Sequence, residues 1–140
     1  MRKSKTILVI EDEADIQNFI SRVLELEGYQ VLRAGDGNTG MDMLRDNPVS
    51  LVLLDLRLPG KDGWSVLREI KHDPDLSSIP VIVLTAIAEP IQRKKTLRMG
   101  ATKYLIKPLS AHSLSQSIAS VLHAKAEQYP AARQSSLSRE

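Results

Sequence analysis

The stretch Leu51–Trp64, LVLLDLRLPGKDGW, runs four apolar residues straight into Asp55 and then breaks the chain at Pro59-Gly60. A short apolar run bounded by turn residues is the pattern of a strand buried on both faces. A carboxylate at its end is costly unless it is paired, hydrated or bound to a metal. Taken alone, Asp55 reads better as an ordinary strand-end residue facing water, so the rest of the chain has to decide.

Outward from this stretch, strand-like and helix-like segments alternate. TILVI (Thr6 to Ile10) is short and β-branched, and is followed by Ile16, Phe19, Ile20, Val23 and Leu24 at helical spacing, with Gly28 placed to close the helix. YQVLRA is a second strand, and a weak helix is expected from Asn38 to Arg45 with Met41 and Leu44 inward. Gly40 inside it costs up to ~1 kcal/mol relative to Ala. LVLLD, the third strand, leads to a helix on WSVLREI with Val66, Leu67 and Ile70 on one face. PVIVLT, a helix from Ile91 to Met99, TKYLI and the helix of SAHSLSQSIASVLHAKA complete the series, the last with Leu114, Ile118, Val121 and Leu122 on its stripe and Ser110 as N-cap. Five strand-then-helix units imply an α/β domain, a parallel sheet covered by helices on both sides.

The 140 residues suffice for one such domain, and an apolar fraction of 42% provides its core. The organisation expected is a short basic segment over 1–5, the domain over 6–126 and a flexible polar tail over 127–140. A net charge of +2 with both signs interspersed gives no reason to expect direct nucleic-acid binding. No apolar run approaches the ~20 residues of a membrane span, and the basic start gives way to EDEAD too soon for a signal peptide. Without cysteine there is no disulfide, so a soluble cytoplasmic protein is expected.

In a doubly wound sheet, ligands gather beyond the carboxyl ends of the strands. The residues at those ends are Glu11, Asp12 and Glu13 after the first strand, Asp55 after the third, Thr85-Ala86 at the fourth and Lys107-Pro108 after the fifth. Clustered carboxylates repel one another unless a cation joins them, and hard divalent ions prefer oxygen ligands. A carboxylate in such a cluster can attack phosphorus, while the ion and a Lys neutralise the transferring group.

VIEDE, LLDLRLPGKDGW, VIVLTA and YLIKPL, in this order and at these separations, resemble the signature segments of the receiver domain of bacterial two-component response regulators, in particular its single-domain, chemotaxis-type members. The resemblance runs from Thr6 to Leu122. It implies a flavodoxin-like, doubly wound, five-stranded parallel sheet of order 2-1-3-4-5 flanked by five helices. It also implies a phosphorylatable switch with Asp55 as phosphoacceptor, rather than an enzyme, though one that assists its own phosphorylation and dephosphorylation. Magnesium or manganese would be held by Asp12, Asp55 and the backbone carbonyl of Arg57, with Glu11 acting through water. Lys107 would contact the phosphoryl group beside Ala86, the Lys107-Pro108 bond would be cis, and Thr85 and Tyr104 would be the switch pair, the ring following the hydroxyl inward. The phosphoryl donor would be a sensor histidine kinase or a histidine phosphotransfer protein. The output would leave through the helix from Ile91 to Met99, TKYLI and the last helix, toward a separate effector or a second copy, with no membrane involved. Arg57 and Ile87 fall at two pocket-rim positions that vary in the family.

Other readings attach to the same residues. An Asp nucleophile with magnesium also describes phosphohydrolases, but Asp55-Leu-Arg lacks the second acid of the dehalogenase-like pattern. A nucleotide or flavin module needs a phosphate cradle after its first strand, where this chain is acidic. A receiver-like scaffold that works without phosphorylation is the third alternative. Glu13 and Asp62 read as helix-start residues, Trp64 as surface packing, and His72, His112 and His123 as solvated.

Overall fold

The computed structural model describes residues 5–127. The expected tail therefore lies outside the described residues from 128 onward, as do residues 1–4. The elements are β1 (Thr6–Ile10), α1 (Ala14–Leu26), β2 (Gln30–Ala34), α2 (Gly37–Asp46), β3 (Leu51–Leu54), α3 (Gly63–His72), β4 (Val81–Thr85), α4 (Pro90–Arg98), β5 (Lys103–Ile106) and α5 (Ala111–Glu127). All neighbouring strands pair in parallel, in the order β2-β1-β3-β4-β5.

Alternation along the three inner strands sorts the core into two halves. Leu8, Ile10, Val52, Leu54, Val81 and Val83 face α2 and α3, whose Met41, Leu44, Val66, Leu67 and Ile70 cover them. Ile7, Val9, Leu51, Leu53, Ile82 and Leu84 face Ile20 and Leu24 of α1 and the Leu114–Leu122 stripe of α5. With both faces covered, β1, β3 and β4 have no polar side, which is why they read as unbroken apolar runs.

Gly28 adopts φ +95°, and its N–H and that of Tyr29 donate to Glu25 O and Leu24 O, ending α1 as expected. Ser110 Oγ accepts from Ser113 N at 3.0 Å at the start of α5. Asp36 was not foreseen as a cap; its Oδ1 accepts from Thr39 N at 2.8 Å, so α2 starts one residue earlier than the pattern suggested. The cost of Gly40 has a reason in packing, since a Cβ there would lie 2.6 Å from Ile10 Cδ1. The helix accepts a poor helix former so that it can sit directly on β1.

The α1 stripe differs from its expected composition. Phe19 is 44% exposed, whereas Ser21 is fully buried with no hydrogen-bond partner for Oγ among the described residues. Leaving a hydroxyl buried and unpaired costs about 1–3 kcal/mol. Ser21→Ala is therefore expected to stabilise the protein by about 1 kcal/mol, read as a higher urea midpoint at unchanged m-value. A lower midpoint would mean that the hydroxyl has a partner after all.

Candidate functional site

Three backbone bonds bring the acidic ends together. Asp55 N donates to Ile10 O at 3.1 Å and Glu11 N to Ala34 O at 3.0 Å, which carries the sheet register one step past β1, β2 and β3. Across the rim, Lys107 N donates to Thr85 O at 2.8 Å, and the Lys107-Pro108 bond is cis. Carboxylate oxygens of Glu11, Asp12 and Asp55 consequently lie within 4.8 Å of one another.

Glu11 and Asp55 are buried, at 2% and 4% exposure, while Asp12 is open to solvent. Two carboxylates at that depth require compensation. Lys107 supplies it, with Nζ 2.7 Å from Glu11 Oε1 and 3.0 Å from Asp55 Oδ2. Arg57 N donates to Asp55 Oδ1 at 3.1 Å and Glu13 N to Glu11 Oε2 at 3.1 Å. Burial pushes the Glu11 carboxyl above the usual carboxylate range, with the Asp55 charge adding to the push and Lys107 opposing it. Burial pulls the Lys107 ammonium down, but its close contacts with the Glu11 and Asp55 carboxylates outweigh this and leave its pKa raised. The ammonium therefore stays charged throughout the neutral range.

Around this cluster, Thr85 is fully buried and its Oγ1 accepts from Ile87 N at 3.3 Å. Tyr104 is 6% exposed, and its hydroxyl donates to Ile87 O at 2.7 Å. The hydroxyls of Thr85 and Tyr104 thus meet the two sides of one residue, Ile87, at its N–H and its carbonyl. Ile87, expected at the pocket rim, has a side chain that is 7% exposed and packs in the core. Ala86 and the side chain of Arg57 are exposed beside the cluster.

Glu13 stands at the N-cap position of α1 without a side-chain cap hydrogen bond and is exposed, its Oε1 3.9 Å from Lys107 Nζ. Asp62 Oδ1 accepts from Ser65 N at 2.9 Å at the start of α3. The three histidines are all exposed. Trp64 does more than pack, because its Nε1 donates to Thr96 Oγ1 at 3.0 Å, tying α3 to α4. Thr96 is the one buried residue of α4, and its hydroxyl donates on to Gln92 O at 2.7 Å. Sequence patterning contains no signal for a polar tie of this kind.

The donor set of Glu11, Asp12 and Asp55 is all oxygen, half buried and open on the Asp12 side. Magnesium suits such a set because it takes one or two carboxylates and keeps several waters. No helix among the described residues is long and apolar enough to cross a membrane.

The sequence profile of the response regulator receiver domain matches residues 7–119. The chain is 38% identical over 122 residues to a probable transcriptional regulator, ycf27, of Porphyridium aerugineum, covering 87% of this chain and 49% of that protein. It is 37% identical over 118 residues to the phosphate regulon transcriptional regulatory protein PhoB of Pseudomonas aeruginosa, covering 84% and 52%. The chain thus spans about half the length of these curated relatives. Among solved structures, a CheY-like receiver domain protein from Methanospirillum hungatei superposes with a TM-score of 0.84 at 25% identity, over 90% of this chain and 99% of that one.

Proposed function

The chain belongs to the receiver-domain family of two-component response regulators, whose domain is a phosphorylatable signalling switch, and on that premise we propose that Asp55 is the residue that takes the phosphoryl group. One observation carries the reading. Asp55 is a buried carboxylate held at one oxygen by the Arg57 N–H and at the other by the Lys107 ammonium, with Glu11 and Asp12 alongside.

The donor is a phosphohistidine on a kinase or phosphotransfer protein. An Asp55 oxygen attacks phosphorus, the O–P bond forms and the N–P bond breaks, and the imidazole keeps the electron pair and is left free to take a proton. Asp12, Asp55 and the Arg57 carbonyl would hold magnesium, with Glu11 reaching it through water. When bound, that ion neutralises charge on the transferring group. Lys107 shifts from the Asp55 carboxylate onto phosphoryl oxygens, retaining Glu11 as its counter-charge.

Thr85 Oγ1 then turns to a phosphoryl oxygen and leaves Ile87 N without its acceptor. Because Ile87 O also receives the Tyr104 hydroxyl, the change passes through one residue to the loop before α4 and to β5. Tyr104 is inward in the structure, so the ring's part is to hold or release that loop. The output face is α4, β5 and α5. On it α4 exposes Ile91 together with Arg93, Lys94, Lys95 and Arg98, a surface suited to a partner with an apolar contact and an acidic rim.

With acetyl phosphate and magnesium, the protein is expected to take up one phosphoryl group per chain and to lose that uptake in EDTA. Hydrogen exchange should change most between Ala86 and Leu109. Failure to take up label from acetyl phosphate or any phosphohistidine donor would overturn the reading. Exchange changes confined to Tyr29–Arg45 would overturn the placement of the output face.

A further inference from the structure

A side chain outside the carboxylate cluster fixes the peptide on which the cluster depends. Gln17 lies on the first full turn of α1, and its Nε2 donates to Glu11 O at 2.9 Å and to Ala34 O at 3.2 Å. Ala34 O is the same oxygen that accepts from Glu11 N at 3.0 Å. One amide group thus joins the end of β1, the end of β2 and α1. We propose that Gln17 is a positioning residue for the cation site, setting the orientation of Asp12 relative to Asp55.

The carbonyl of Glu11 and the N–H of Asp12 belong to one planar unit, so fixing Glu11 O fixes the plane from which Asp12 departs. Glu11 has further restraints, because its carboxylate is buried and bonded to Glu13 N and Lys107. Asp12 is exposed, and no hydrogen bond or ion pair is found for its carboxylate among the described residues. Its placement is therefore set by the backbone, and the backbone there is held by Gln17. Without the amide, Asp12 would sample more positions, and binding a cation would require ordering it.

This inference rests on Glu11, Asp12 and Asp55 forming a cation site, and the experiment separates the two ideas. Manganese binding is followed by electron paramagnetic resonance, with magnesium as competitor, in wild type, Gln17→Met and Asp12→Ala. Met keeps the length and bulk of Gln but cannot donate. Gln17→Met is expected to weaken manganese and magnesium about tenfold, the low end for groups that orient metal ligands. Its phosphorylation by acetyl phosphate should slow at low magnesium and recover at saturating magnesium. A purely structural role would instead lower the melting temperature of the metal-free protein and leave the dissociation constant, measured well below melting, unchanged.

A second variant, Gln17→Glu, tests against simple charge. An added carboxylate near a cation would tighten binding if charge alone mattered, but it cannot donate to two carbonyls and should not restore wild-type affinity. Affinity within twofold of wild type in Gln17→Met would overturn the proposal, as would tighter binding in Gln17→Glu. If wild type and Asp12→Ala both fail to bind manganese, the cation-site reading falls, and this inference with it.

Discussion

Asp55→Asn is expected to give a folded protein that takes up no phosphoryl group from acetyl phosphate or from a phosphorylated kinase. The amide keeps the shape and can still accept the Arg57 N–H that Asp55 Oδ1 receives at 3.1 Å. Lys107 retains Glu11 at 2.7 Å, so the ammonium is not left alone in the site. The lost carboxylate is one of two buried close together, and its removal relieves the charge that helps hold the Glu11 carboxyl up. Stability should therefore change little, while the Glu11 titration moves down. The chemistry is a different matter, because an amide oxygen is no nucleophile toward phosphorus. The rate should drop by about 10³-fold or more, the scale on which removal of a nucleophile is felt. Intact-mass measurement over time decides it, and label appearing at the wild-type rate would move the acceptor elsewhere.

The largest effect on stability is expected at a glycine. A Cβ on Gly63 would lie 2.3 Å from Asp55 O and 2.5 Å from Leu56 Cα, both backbone atoms that cannot swing away. Gly63 N also donates to Leu56 O at 2.9 Å, so the first residue of α3 rests directly on the residue that follows Asp55. Gly63→Ala must push the helix off the strand end or twist the Asp55-Leu56 peptide. Overpacking of this sort costs about 3 kcal/mol or more when the neighbour is backbone. The denaturation midpoint should fall accordingly. Magnesium affinity should also fall, since the displaced peptide carries Asp55. A variant as stable as wild type would mean that α3 can retreat without cost.

These two positions mark what could and could not be read from the sequence. Asp55 was legible because a buried strand ending in a carboxylate is a local anomaly, and the anomaly recurred at Glu11 and Lys107 where topology gathers strand ends. The parallel sheet was legible for the same reason, since β1, β3 and β4 are covered on both faces and their composition shows it; its strand order came from the family resemblance alone. Gly63 was not, because a glycine in a turn looks the same whether it is needed for its backbone angles or for close approach. Gln17 was hidden among polar residues of a helix face, where an amide that bonds two carbonyls cannot be told from one in water. Ser21 and Phe19 exchanged the environments their polarity suggests, because α1 packs by geometry and its stripe is narrower than its apolar content. Ile87 packs inward, a tertiary fact that pattern does not encode.

The tie between Trp64 and Thr96 has an optical consequence. Trp64 is the only tryptophan in the chain, so excitation at the red edge of aromatic absorption reports from one place, the seam between α3 and α4. Its indole N–H bonds to α4, and the Lys95 ammonium, also on α4, lies 5.2 Å from the ring centroid. Both influences on the excited state come from a helix with one buried residue to hold it. The emission of this protein is therefore a gauge of where α4 sits, readable without any label and apart from whatever happens at Asp55.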